Sequence, residues 1–249
     1  MKEKKPIMIV GAMNPEVDVL IEKLENKKEE KIGIYNIAEG TINNYPVVIA
    51  QSEVGTINAA ALTTLTIQKY NPIIIINAGT AGGIGRKIHK GDIVIGKEIF
   101  NIVSAKTPYK EEKEGSNSLE WDYITFVNGG VDEKRTIKAN KELVEFVYNL
   151  KELYKQGNVY TGVIGSGDIW NREKDKILYL SEKHNVLCEE MEGISVYTIA
   201  NNNNIPAVGI RVISDNEILG EEYDRNLGHK GQEFVYEVVK SYIKEVIKS

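Results

Sequence analysis

A chain of 249 residues with 42% apolar and 27% charged side chains has the composition of an ordinary globular protein, at the upper edge of what one hydrophobic core serves. Its formal net charge of -5 supplies no basic face for nucleic acid, and no apolar run approaches the length of a membrane-spanning helix. Cys188 is the only cysteine, which excludes an intrachain disulfide and a cysteine-based zinc site and suits a reducing, cytoplasmic setting.

Lys2, Lys4 and Lys5 precede an apolar run at Ile7–Val10, but Glu16 and Asp18 follow too soon for a signal peptide. Pro6 to Gly11 therefore reads as a first strand, and Pro15 opens a helix carrying Val17, Leu20, Ile21 and Leu24 on one face. The charge run Lys27 to Lys31 reads as a solvated helix end and loop. Ile34 to Glu39 and Val47 to Ala50 pair as a hairpin around Asn43-Asn44-Tyr45-Pro46. A helix is expected from Thr56 to Tyr70. Four consecutive isoleucines, Ile73 to Ile76, mark a central strand covered on both faces. The glycine-rich segment Gly79–Gly85 follows as a loop, and Asp92 to Phe100 as a strand. Lys106 to Asp122 is polar, contains Pro108 and Gly115, and reads as a long loop of the kind used as a lid. Asn140 to Tyr154 has helical periodicity. Val159 to Ile164 reads as a strand ending in Gly165-Ser166-Gly167-Asp168. Helices are expected over Glu173–His184 and Met191–Asn202, the second stopped by Asn201–Asn204 and Pro206. Ala207 to Ile213 is a buried strand ending in Ser214-Asp215. A last helix, about Gln232 to Lys248, aligns Phe234, Val238, Tyr242 and Val246. Alternating strands and helices, with no repeat and no linker, predict one α/β domain over residues 1–249 around a mixed central sheet.

Open α/β sheets bind small molecules outside the carboxyl ends of their strands. The polar clusters at those ends are Met13 with Glu16, Gly79–Gly85, Gly165–Asn171 and Ser214-Asp215; Glu189-Glu190-Met191-Glu192 opens a helix. Singly, each has a plain structural reading. Gly79–Gly85 has neither the Gly-x-Gly-x-x-Gly spacing nor a Walker lysine. Glu16, Glu189, Glu190 and Glu192 suit helix N-termini through the helix dipole, and Asp215 suits a helix cap. His89, His184 and His229 lack metal-ligand spacing, so no metal and no cofactor is expected. Cys188 has no paired base, and Ser166 is not set in a nucleophile elbow.

In combination these clusters say more. The blocks IVGAMNPEV (Ile9–Val17), SEVGTINAA (Ser52–Ala60), NAGTAGG (Asn77–Gly83), GSGD (Gly165–Asp168), EEMEG (Glu189–Gly193) and VISD (Val212–Asp215) occur in one order along nearly the whole chain. Together they resemble the methylthioadenosine/S-adenosylhomocysteine nucleosidases of the nucleoside phosphorylase superfamily. The resemblance implies a three-layer α/β sandwich and hydrolysis of the N-glycosidic bond of 5′-methylthioadenosine and S-adenosylhomocysteine, a reaction of methionine salvage. Its partners would be the nucleoside and water, with a second copy of the chain in a homodimer.

Cleaving C1′–N9 builds positive charge on the ribose and negative charge on the purine. It calls for a general acid at N7 and a base for water on the opposite face of the sugar, the two-carboxylate logic of inverting glycoside hydrolysis. The resemblance implies Asp215 as the acid, oriented by Ser214, with Glu16 at the water and Glu192 on the ribose hydroxyls. By the same resemblance Thr80, Gly82 and Met191 lie near the ribose and water, Glu190 belongs to the substrate site, and Met13 and Val54 line the alkylthio pocket. The chain departs from the family at Ile169-Trp170-Asn171-Arg172, where a small residue and Phe-Ile are usual; Trp170 still offers a stacking face and the Asn171 backbone an edge-reading group. It also lacks the usual His-x-Asp and Phe-Gly-Tyr stretch between Ser104 and Phe126. Two other readings of the same residues stay open: a purine nucleoside phosphorylase of this fold, and a nucleoside sensor without turnover.

Overall fold

The computed structural model describes residues 4–127, 130–132 and 136–247. It opens with β1 (Ile7–Gly11), α1 (Asn14–Glu22), β2 (Glu25–Ile32), β3 (Tyr35–Ile42), β4 (Tyr45–Gln51), α2 (Thr56–Tyr70), β5 (Ile74–Gly83) and β6 (Ile93–Asn101). The short strands β7 (Ala105–Lys106), β8 (Asp122–Tyr123), β9 (Thr125–Val127), β10 (Gly130–Asp132) and β11 (Thr136–Lys138) follow. The remainder is α3 (Lys141–Asn149), β12 (Val159–Ser166), α4 (Lys174–His184), β13 (Val186–Glu190), α5 (Gly193–Asn202), β14 (Ala207–Asp215) and α6 (Leu227–Tyr242).

The isoleucine strand is central, as its composition requires. β1 lies parallel between β4 and β5, and β14 runs parallel to the other side of β5. Ile7, Ile9, Ile74 and Ile76 point to one face, where α1, α3 and α6 bring Val17, Leu20, Val144, Phe234 and Val238. Met8, Val10 and Ile75 point to the other face, against Ala59, Leu62 and Ile67 of α2 and Val196 and Ala200 of α5. Period-two alternation thus feeds two separate apolar layers from a single strand. Truncating one such fully buried isoleucine to alanine would cost about 2–5 kcal/mol.

The sheet has one further property. β14 also pairs antiparallel with β6, β6 parallel with β12, β12 parallel with β13, and β13 antiparallel with the far end of β5. Strands β5, β14, β6, β12 and β13 therefore close into a ring at one end of the sheet, while β1, β4, β3 and β2 continue it as an open wing.

Several expected boundaries shift. The charge run Lys27–Lys31 is not a loop: it lies within β2, an exposed edge strand paired antiparallel with β3. It has no apolar alternation because neither of its faces is buried. The hairpin turn forms at Asn43 and Asn44, whose φ values of 50° and 61° fit the primed turns that match strand twist. Of the expected loop Gly79–Gly85, Gly79 to Gly83 is strand, because β5 extends to pair with both β14 and β13, and only Ile84 and Gly85 lie beyond it. Glu189 and Glu190 end strand β13, so α5 begins at Gly193 and not at Met191. The last helix begins at Leu227, five residues before the expected Gln232, and runs into a π-helical turn at Ile243–Ile247; Lys248 lies outside the described residues. The 107–121 segment is held to α4 by Lys176, whose Nζ donates to the Ser118 carbonyl at 2.8 Å and lies over the rings of Trp121, Tyr123 and Tyr179.

Candidate active site

The carboxyl ends of β1, β5, β13 and β14 meet at the rim of the ring. Glu16 sits in the first turn of α1, immediately after β1, and reaches back so that its Oε2 accepts the Ala12 and Met13 N–H groups at 2.9 and 3.1 Å. This is the glutamate half of a capping box. Its Oε1 accepts the backbone N–H and hydroxyl of Thr80 at 2.7 and 3.0 Å. Four donors fix both oxygens of one buried carboxylate.

At the end of β14, Ser214 Oγ lies 2.5 Å from Asp215 Oδ1. Burial holds the Asp215 carboxyl above its ordinary range, with Glu217 adding to the rise and the Ser214 hydroxyl opposing it. Asp215 pairs in register with Gly82 of β5. A Cβ at Gly82 would stand 3.5 Å from Asp215 Oδ2, so the missing side chain leaves room beside the acid. The two carboxylates thus flank the stretch Gly79 to Gly82, roughly 10 Å of extended chain.

β13 delivers Glu189 and Glu190, and the turn into α5 delivers Met191 and Glu192. The Glu192 carboxyl accepts the Gly55 N–H at 2.9 Å. Burial and the neighbouring carboxylates of Glu190 and Glu16 push it upward, against the pull of that N–H and of Arg211. Glu190 faces inward: it accepts the N–H groups of Glu192 and Gly193 and pairs with Arg211. Burial works against the Arg211 charge, but the Glu190 carboxylate more than compensates and raises it. Arg211 also donates to the carbonyl and the side chain of Asn77, so the pair ties β14, β5 and β13 together behind the site.

These elements enclose a cavity of about 410 Å³. All twelve residues singled out in the sequence line it: Met13, Glu16, Val54, Thr80, Gly82, Trp170, Asn171, Glu190, Met191, Glu192, Ser214 and Asp215. Trp170 and Val54 are 66% and 46% exposed, at its mouth. Sequence reasoning missed Tyr223, Glu217 and Ile177, which also line it, and Arg211, which stands behind it. It also left Glu189 without a site role, although its side chain lines the cavity. Asp168 has a different job, accepting the Thr56 N–H and hydroxyl at 2.7 and 2.5 Å to cap α2. No described residue of the 104–126 segment lines the cavity. Six lining side chains are acidic, and among the described lining residues none is lysine, arginine or histidine.

A nucleoside-sized cavity at the strand ends of a mixed α/β sheet, walled by carboxylates, agrees with the family model that matches the chain. That model, the phosphorylase superfamily, covers residues 6–248, and the chain belongs to this superfamily. Within it, the chain is 29% identical to a 5′-methylthioadenosine/S-adenosylhomocysteine nucleosidase of Bacillus cytotoxicus over 217 residues, 87% of either chain. The nucleosidase of that name from Neisseria meningitidis, solved in complex with methylthio-immucillin-A, superposes with a TM-score of 0.78 at 26% identity, over 95% of this chain and 99% of that one. The Colwellia psychrerythraea nucleosidase, solved with adenine, has the same fold, with a TM-score of 0.78 at 24% identity and 96% of each chain covered.

Proposed function

We propose that this chain hydrolyses the N-glycosidic bond of 5′-methylthioadenosine and S-adenosylhomocysteine, releasing adenine and a 5-thio-substituted ribose. The carrying observation is the make-up of the cavity: six acidic side chains and no cationic one among its described lining residues. A phosphorylase must gather cationic or backbone donors on an anion beneath the ribose. Here the N–H groups of Ala12, Met13 and Thr80 are spent on the Glu16 carboxylate, which repels phosphate and can accept a proton from water.

Trp170 stacks on the adenine and Asp215 donates to N7 as C1′–N9 breaks. The bonding electron pair leaves with the purine. Water, deprotonated by Glu16, adds to C1′ from the opposite face. Glu192 holds the ribose hydroxyls beside the oxocarbenium-like centre. Met13 and Val54 supply an apolar wall for the alkylthio group, and Thr80, Gly82 and Met191 the bed beneath the sugar. The exposed apolar residues Val54, Ile57 and Trp170 beside the mouth favour a homodimer that covers them. The lone, buried Cys188 suits a cytoplasmic protein.

The test is an assay in phosphate-free buffer. Adenine and free thio-ribose should appear at a rate that added phosphate does not raise, and E16Q should bind substrate yet turn over little of it. Strict dependence on phosphate, with a ribose 1-phosphate product, would overturn this reading in favour of a phosphorylase.

A further inference from the structure

Glu189 is a buried carboxyl that the proposed chemistry leaves unused. It lies in register with Gly82 on β13, as Asp215 does on β14, so the two acids flank the same glycine from opposite sides. A Cβ at Gly82 would meet Asp215 Oδ2 at 3.5 Å and Glu189 Cγ at 3.8 Å. A purine lying over Gly82 with N7 at Asp215 therefore has its six-membered ring within reach of the second carboxyl. Asn171, whose backbone the resemblance made the edge-reading group, departs from that expectation: its backbone N–H is spent on Glu189 Oε1 at 3.1 Å and its Nδ2 donates to Oε2 at 2.6 Å. Each carboxyl oxygen accepts one of these bonds and keeps a second lone pair, so the group can still meet the base while Asn171 holds it in place.

We propose that Glu189 reads the Watson–Crick edge of the bound purine, pairing its carboxyl group with N1 and the 6-amino group. The inference rests on the reading of the site as an adenine-releasing one and adds to it the residue that grips the base. N1 of adenine is an acceptor and its 6-amino group a donor. A carboxylate offers two acceptors and satisfies only the second; the neutral acid offers a donor beside an acceptor and satisfies both. The surroundings favour the acid. Asp215 faces Glu189 from β14, and Glu190 and Glu217 line the same cavity. Arg211 is taken by Glu190 and Arg172 by Glu217, and among the described residues no cation pairs with Glu189. Burial pushes its carboxyl up to about 7, against the two hydrogen bonds from Asn171 and with the Asp215 charge adding to the rise.

The experiment compares wild type, E189Q and E189V with 5′-methylthioadenosine, its 1-deaza analogue and free adenine. E189V should raise KM, and the Kd for adenine measured by calorimetry, about tenfold, the effect of about one lost hydrogen bond to a buried group, with kcat within about threefold. E189Q keeps a donor beside an acceptor at every pH, so it should match wild type at pH 6. It should also hide the rise in KM of about tenfold that wild type shows by pH 8.5 as Glu189 ionises. The 1-deaza analogue should bind wild type as weakly as adenine substrates bind E189V, and should bind E189V no worse than wild type. That comparison on wild type alone stands even if E189V fails to fold. If wild type releases adenine but E189V keeps its adenine Kd, or if wild type is indifferent to N1, Glu189 only braces Asn171 and the proposal is wrong. If wild type neither binds nor releases adenine, the functional reading itself fails, which is a separate result.

Discussion

Gly79 and Glu16 stand so close that a Cβ on the glycine would lie 2.9 Å from Glu16 Oε1. The carboxylate lies against bare backbone, and a methyl group there must push it off its four donors. G79A should therefore lower kcat by at least about tenfold, since displacing a reacting group by an ångström can cost as much as roughly 100-fold. Circular dichroism should find the fold retained, because β5 keeps its pairing at this position. Full activity in G79A would mean that Glu16 need not sit where it does.

Asp215 can donate to N7 only while protonated, and its carboxyl is held above the ordinary range by burial. Activity that depends on this acid should decline as pH rises through its raised pKa. D215N is nearly isosteric and should lose about 10²–10⁴-fold in kcat, the usual contribution of a general acid, together with that alkaline limb. A D215N profile with the parent's shape and height would remove Asp215 from the mechanism.

Glu189 also links pH to stability. The folded chain holds this proton up to about pH 7, whereas a carboxyl of ordinary pKa 4.5 releases it earlier. Between those values the folded state binds more protons than the unfolded one, so the contribution of Glu189 to stability is full below the lower value and falls as pH rises. Between pH 5 and pH 8 the Tm of wild type should drop relative to E189Q by at least about 3 °C, the shift that ~1 kcal/mol produces in a chain of this size. Parallel Tm curves for the two proteins would refute the linkage.

Ile57 is 81% exposed on α2, with Leu65 two turns further along the same face. The dimer proposed above would bury these two exposed apolar side chains. Light scattering at micromolar concentration should find a dimer for wild type and a monomer for I57D, whose secondary structure should be unchanged. A monomeric wild type would dispose of the dimer.

Much of this architecture was legible in the residues. The isoleucine strand, the hairpin at Asn43-Asn44 and helix Thr56–Tyr70 follow from composition and turn chemistry, which act locally. Ten of the twelve residues singled out lie in the six ordered blocks, each of which ends or follows a strand, and Trp170 and Asn171 come just after the block that ends β12, so all twelve reach one cavity. What stayed hidden depends on partners distant in sequence. Gly79–Gly83 has a loop composition, and becomes strand only because β13 and β14 pair with it. Glu189 and Glu190 read as helix-opening acids, and nothing local separates the one turned into the cavity from the one turned toward Arg211. That difference arises from strand alternation in β13, a strand of only five residues whose existence the sequence pattern did not announce.

The charge-rich β2 has a consequence for how the molecule behaves in a crowded solution. An edge strand presents unpaired N–H and C=O groups that any other extended chain can zip onto. On β2 that outer rail carries Glu25, Lys27, Lys28, Glu29, Glu30 and Lys31, so a foreign strand seeking register would have to bury charges of both signs against its own side chains. The residues that look least informative in the sequence thus act as a fence against fibril-type growth at the free end of the open wing. Replacing the lysines and glutamates of β2 with threonine and valine would leave the cavity at the other end of the sheet untouched while making the purified protein prone to sheet-to-sheet aggregation.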